Sequence, residues 1–115
     1  NTNNIALCRY DGTNFVKIAE TANDGTLYNT GNSAKTANLT SPITITPGTY
    51  AIAIVYNSSV QTTAPSIAVV ASSFQNFMYP SNFKLSGYTT GNSIASSVAV
   101  STLTNSTALG WFILQ

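Results

Sequence analysis

Three carboxylates, one thiol and no imidazole make up most of the reactive inventory of this chain: Asp11, Glu20, Asp24 and Cys8, with no His at any of its 115 positions. Nucleophilic catalysis with a His base is excluded by that composition, and so is zinc held by Cys and His ligands. Paired-acid hydrolysis of a glycosidic bond needs two carboxyls flanking the bond. Here Asp11 and Asp24 each precede a Gly, a setting in which the Asp side chain caps the backbone of its own turn. A Ca²⁺ site shared by the two turns is the alternative, but hard cations ask for several carboxylates. Ser and Lys lack the spacing of a Ser–Lys dyad, and no phosphate-cradling loop occurs. Cys8 lies inside an apolar strand pattern and reads as a buried, inert thiol; an intermolecular bridge or a reactive thiol is the competing reading. The expectation is a non-enzymatic chain with no catalytic residue, no metal and no cofactor.

Aromatic side chains are the remaining candidates for a site. Saccharide sites stack rings on pyranose faces and surround them with amide, carboxylate and hydroxyl hydrogen bonds. Tyr28, Tyr79 and Tyr88 fall in or near loops, and Asn76 and Asn82 flank Tyr79. These five are the candidate ligand-binding residues, with simple packing of each Tyr as the competing reading. Tyr10, Tyr50, Tyr56 and Trp111 fall in strand patterns and read as core or interface. Three Asn-X-Ser/Thr triplets begin at Asn38, Asn57 and Asn105. A chain so rich in these residues yields roughly three to four by chance, so the triplets say nothing about glycosylation.

The elements that must position these residues follow from composition and turn chemistry. Ser, Thr and Asn supply 44 residues, while charged residues are only 6%. Hydrophobic content of 43% supports a core, and disorder, which pairs low hydrophobicity with high charge, is disfavoured. One domain over residues 1–115 is expected. A net charge of +1 gives little repulsion between copies, so such a surface tolerates self-association. Arg9, Lys17, Lys35 and Lys84 are scattered and make no stripe for nucleic acid. Apolar runs such as 51–56 are too short to span a membrane as helices. With no initiator Met and no leader, the chain reads as a fragment or processed product.

Short β-rich segments separated by turn residues about every ten positions predict an all-β, antiparallel sandwich. Asn4 to Tyr10 and Phe15 to Glu20 form a hairpin about Asp11-Gly12-Thr13. Ile5, Leu7 and Arg9 are placed on one face of its first strand, and Ala6, Cys8 and Tyr10 on the other. In the return strand Phe15 and Lys17 are placed opposite Val16, Ile18 and Glu20. Asp24-Gly25 begins a second turn, and Asn29 to Ala34 an exposed loop. Ile43 to Thr46 alternates, which turns Ile43 and Ile45 toward a core. Pro47-Gly48 predicts a type II turn with positive φ at the Gly. Thr49 to Asn57 is the strongest strand, with Tyr50, Ile52, Ile54 and Tyr56 on one face and Ala51, Ala53 and Val55 on the other. Two apolar faces imply cover on both sides. Ala51, Ala53, Val55 and Trp111 are therefore candidate oligomer-interface residues. Ser66 to Ala71, Phe83 to Tyr88 and Ser97 to Leu103 read as further strands, Ser72 to Ser81 as a long apolar loop, and Gly110 to Leu114 as a buried terminal strand.

The hairpin Ile5-Ala6-Leu7-Cys8-Arg9-Tyr10-Asp11-Gly12 with Phe15-Val16-Lys17-Ile18-Ala19, followed by Ser41-Pro42-Ile43-Thr44-Ile45-Thr46-Pro47-Gly48-Thr49-Tyr50-Ala51-Ile52-Ala53, resembles β-sandwich domains in tail, tail-fibre and other virion appendage proteins of tailed bacteriophages. The resemblance covers about half of the chain, and its most specific piece is Ser41 to Ala53. It implies a non-enzymatic, jelly-roll-like module at a virion surface. It further implies a homotrimer that contacts other virion proteins and binds a saccharide of the host cell surface. A purely structural capsid or tail decoration, or a fibre domain, is the first alternative. A bacterial extracellular carbohydrate-binding module, expected as a monomer, is the second.

Overall fold

A computed structural model describes residues 2–29, 33–57, 69–71, 87–88, 92–105 and 108–110. Its main body is a four-stranded antiparallel sheet built from β1 (Thr2–Tyr10), β2 (Asn14–Glu20), β3 (Tyr50–Asn57) and β6 (Ser97–Ala99), in the order β3-β1-β2-β6. Short strands β4 (Val69–Ala71) and β8 (Ala108–Gly110) pair with each other, as do β5 (Gly87–Tyr88) and β7 (Thr104–Asn105), all antiparallel. No α-helix occurs among the described residues. The chain is thus all-β and antiparallel.

β1 is central, flanked along its length by β3, with Leu7 opposite Ile52 and Ala6 opposite Ala53. That position explains its burial: Ala6, Leu7 and Cys8 are closed off from solvent. The polar start of β1 is buried too, and Asn3 is satisfied there on both backbone and side chain. Asn3 N–H donates to Asn23 Oδ1 at 2.7 Å, Asp24 N–H donates to Asn3 O at 2.9 Å, and Asn57 N–H donates to Asn3 Oδ1 at 3.3 Å. Residues 21–24 continue β2 along this end, with Thr21 N–H donating to Ile5 O. Leu27, buried, and Tyr28, edge-on to Tyr56 at 5.7 Å between ring centres, follow in the next turn.

The hairpin forms where Asp11-Gly12 predicts it. Gly12 takes φ +107°, a backbone region closed to most side chains. Its two strands depart from simple alternation. Cys8 faces Lys17 but Leu7 faces Ala19, so Ile18 is an extra residue with no partner on β1. This is a β-bulge. The expected grouping of Glu20 with Val16 and Ile18 is therefore corrected. Glu20 faces Ala6 and shares a side of the sheet with Lys17, while Val16 and Ala19 share the side of Arg9 and Leu7.

Three further expectations are corrected. Residues 42–46 pair with no strand, and Ile45 is 48% exposed rather than turned inward. Pro42 and Pro47 bracket the segment and donate no hydrogen bond, which suits it poorly to a ladder. Gly48 does not take the positive φ of a type II turn. It is tight for another reason: a Cβ there would lie 3.3 Å from Arg9 Nε. The segment Ser97 to Leu103 is strand only to Ala99, then turns through one 3-10 turn, Val100–Thr102, fastened by Thr102 Oγ1 donating to Ala99 O at 2.7 Å.

β3 lies where the strongest strand was expected, with its residues divided between two apolar faces as the alternation implied. Within one chain it is half-buried, and only Val55 is closed off. The expected strand at Ser66 to Ala71 is described at its last three residues, and that at Phe83 to Tyr88 at its last two. The long loop at Ser72 to Ser81 lies outside the described residues. So does the terminal strand beyond Gly110.

Candidate functional site

Each described acid has a structural partner. Asp11 Oδ1 accepts from Thr13 N–H at 2.9 Å and Asn14 N–H at 2.7 Å, closing the hairpin turn. The backbone donors of Asn14 and Thr13 favour the charged carboxylate and hold Asp11 below its ordinary value of 3.8. Asp24 repeats the device: its Oδ1 accepts from Thr26 Oγ1 at 2.7 Å and Thr26 N–H at 2.8 Å, and these bonds lower its pKa likewise. Among the described residues no group of three or more His, Cys, Asp or Glu side chains gathers as metal ligands would. Cys8 is buried, and desolvation pushes its thiol above 9.0, with the charge of Lys17 acting the other way.

Glu20 belongs to a cluster that alternation conceals. In a regular strand, positions three apart point to opposite faces. The bulge at Ile18 returns Lys17 and Glu20 to one face, and Lys17 Nζ reaches Glu20 Oε2 at 2.9 Å. Asn4 Nδ2 donates to the same Oε2 at 3.1 Å, and Lys17 Nζ also donates to Ile94 O at 3.3 Å. Asn4 is 8% exposed, and its Oδ1 is buried without a hydrogen-bond partner. The alternating pattern by itself offers no sign of this grouping.

Two open hollows meet at Ile18. One, of about 410 Å³, is lined by Arg9, Tyr10, Asp11, Val16 and Ile18. The other, of about 310 Å³, runs from Lys17 and Glu20 to Thr40, Ser41 and Ile43. Tyr10 leans on Phe15 at 5.5 Å, with its hydroxyl donating to Gly12 O. The Arg9 guanidinium lies 6.0 Å over the Tyr50 ring and donates to Pro47 O at 3.4 Å. Arg9, Tyr10 and Asp11 thus line the hollow at the Asp11 end of the sheet, with Arg9 and Tyr10 alternating to opposite sides and each polar group engaged within the chain; all three are residues that their sequence pattern assigned to the strand and its turn.

Of the candidate ligand-binding residues, Tyr28 is half-buried against Tyr56, its hydroxyl buried without a partner and its pKa raised by that burial. Tyr88 lies in β5 opposite Thr104. Tyr79, Asn76 and Asn82 lie outside the described residues. Of the candidate interface residues, Ala51, Ala53 and Val55 line one face of β3 opposite Cys8, Ala6 and Asn4, and Trp111 lies outside the described residues. Comparison of the chain with models of protein families, with curated proteins and with solved structures finds no match in any of the three.

Proposed function

We propose that this chain is a non-enzymatic, jelly-roll-like β-sandwich module of a phage virion appendage, which attaches the particle to the host cell surface by binding a glycan and works as a homotrimer. The observation that carries the binding-module reading is how the fold engages the reactive side chains. Asp11 and Asp24 each close a turn, Lys17 and Glu20 pair with each other, and Cys8 is buried. What such a chain offers a partner is surface. The hollow lined by Tyr10, Asp11 and Arg9 brings together the residue types that saccharide sites use. The half-buried, doubly apolar β3 supports self-association. Glycan-array and bacterial-cell binding by the 115-residue chain test the reading, with size-exclusion mass reporting the oligomer. Binding to at least one bacterial surface glycan is expected, and Arg9→Ala should weaken it. No binding to any host surface would overturn attachment.

A second reading is a purely structural virion domain, such as a capsid or tail decoration. The packing of Tyr28 on Tyr56 favours it, because that ring is engaged within the chain instead of standing free as a stacking platform. This reading expects the same fold and oligomer without glycan binding. Imaging of the assembled particle at the position of this chain separates the two.

A further inference from the structure

An amine, a carboxamide and a carboxylate converge on one oxygen atom at the bulge. Lys17 Nζ lies 2.9 Å from Glu20 Oε2 and Asn4 Nδ2 lies 3.1 Å from the same atom. Amine and carboxamide nitrogen are thus no further apart than those two bonds laid end to end. Both are held in place. Lys17 Nζ has a second anchor on Ile94 O, and its side chain is 22% exposed; Asn4 is on the central strand and nine-tenths buried, while the Glu20 side chain between them is 39% exposed. An ion pair between Lys17 and Glu20 has no need of a buried carboxamide with one acceptor left unmatched, an arrangement that is costly by itself.

We propose that Lys17 and Asn4 join through an intramolecular isopeptide bond, with Glu20 as the proton carrier between them. Lys17 passes one proton along its hydrogen bond to Glu20, leaving a neutral amine beside a neutral acid. A half-turn of the Asn4 carboxamide about Cβ–Cγ brings Oδ1 to Glu20, which donates to it and polarises Cγ. The amine lone pair attacks Cγ and forms the Nζ–Cγ bond; proximity takes the place of an external catalyst. One proton moves from Nζ to Nδ2, the hydroxyl proton returns to Glu20, and the Cγ–Nδ2 bond breaks to release ammonia. Glu20 then protonates the ammonia and is again a carboxylate. Lys17 ammonium and Asn4 carboxamide have become a secondary amide and an ammonium ion, with no electron gained or lost. The reaction happens once per chain and turns over no substrate.

The bond ties β1 to β2 across the Asp11 turn. It does for the hairpin what a disulfide does elsewhere, narrowing the unfolded ensemble, in a chain whose single Cys cannot form an internal bridge. The bond replaces the Lys17–Glu20 ion pair by an amide and brings in neither a ligand nor an oligomer, so its mass test fails or succeeds separately from the glycan and oligomer tests.

Intact-mass spectrometry of the purified 115-residue chain, folded at neutral pH and checked by circular dichroism, tests it. The expected mass is one ammonia below that of the sequence. Trypsin should fail to cut after Lys17, and the peptide 1–9 should run joined to the peptide 10–35. Lys17→Arg and Glu20→Gln should each restore the full mass. A folded wild-type chain at full sequence mass overturns the proposal, as does a deficit mapped to any other pair of residues. A Glu20→Gln chain that still loses ammonia overturns the role of Glu20. Should a variant fail to fold, the wild-type mass and its peptide map decide the matter alone.

Discussion

Leu7 and Ile45 make a matched pair for testing where the core lies, because both are large aliphatic residues in alternating stretches. The structure buries Leu7 to 2% exposure and leaves Ile45 at 48%. Leu7→Ala removes three carbons, and at about 0.8 kcal/mol per buried methylene the transfer loss is about 2.4 kcal/mol. A cavity cost adds to this. β1 is hydrogen-bonded on both sides, to β2 and β3, so its backbone has little freedom to close the void. The total should be about 3–5 kcal/mol. Ile45→Ala removes comparable carbon from a partly wetted side chain outside any ladder, and should cost less than about 1 kcal/mol. Urea unfolding followed by far-ultraviolet circular dichroism compares them. With a slope of about 1–3 kcal/mol/M, Leu7→Ala should lower the midpoint by on the order of 2 M, and Ile45→Ala by a few tenths at most. Equal shifts for the two variants, or a larger one for Ile45→Ala, would refute the placement of the core on β1.

The remaining predictions concern turns, titration and association. Gly12→Ala should destabilise the hairpin by about 1–2 kcal/mol in the same urea assay, because φ +107° is strained for a side chain although nothing crowds a Cβ there. Asp11 and Asp24 have folded pKa values below 3.8, so their contribution is fully present above that pH. It is lost as pH falls through the lower folded values, and the thermal midpoint should drop there and drop less in Asp11→Asn. Cys8, buried and with its thiol pKa raised, should resist iodoacetamide at pH 8 in the native chain and react readily in urea, as read by mass. Ile52→Asp sets a carboxylate opposite the buried Leu7 across the sheet and should lower the urea midpoint strongly. Ala51→Asp and Ala53→Asp should leave circular dichroism intact while dissociating the proposed homotrimer, as read by size-exclusion chromatography.

Much of the main sheet is written locally. Asp-Gly turns, β-branched alternation in 50–57 and the mixed apolar pattern of 5–10 each specify a short-range choice, so the hairpin, β3 and both Asp caps are legible from residue order. The all-β class follows from the same cues. What residue order does not carry is any quantity that depends on a distant neighbour. Ile43 to Thr46 alternates like a strand, yet no strand pairs with it, and Ile45 faces water. Gly48 looks like a turn glycine and instead makes room for Arg9, 39 positions earlier in the chain. Glu20 reads as one more residue of a regular strand until pairing with β1 leaves Ile18 over. That slip of one position turns Glu20 to the face of Lys17 and Asn4, and so creates a cluster of amine, acid and amide. Local propensity settled the hairpin, β3 and the two Asp-capped turns. Register, set by which backbone donors meet which acceptors across the sheet, decided which side chains share a face.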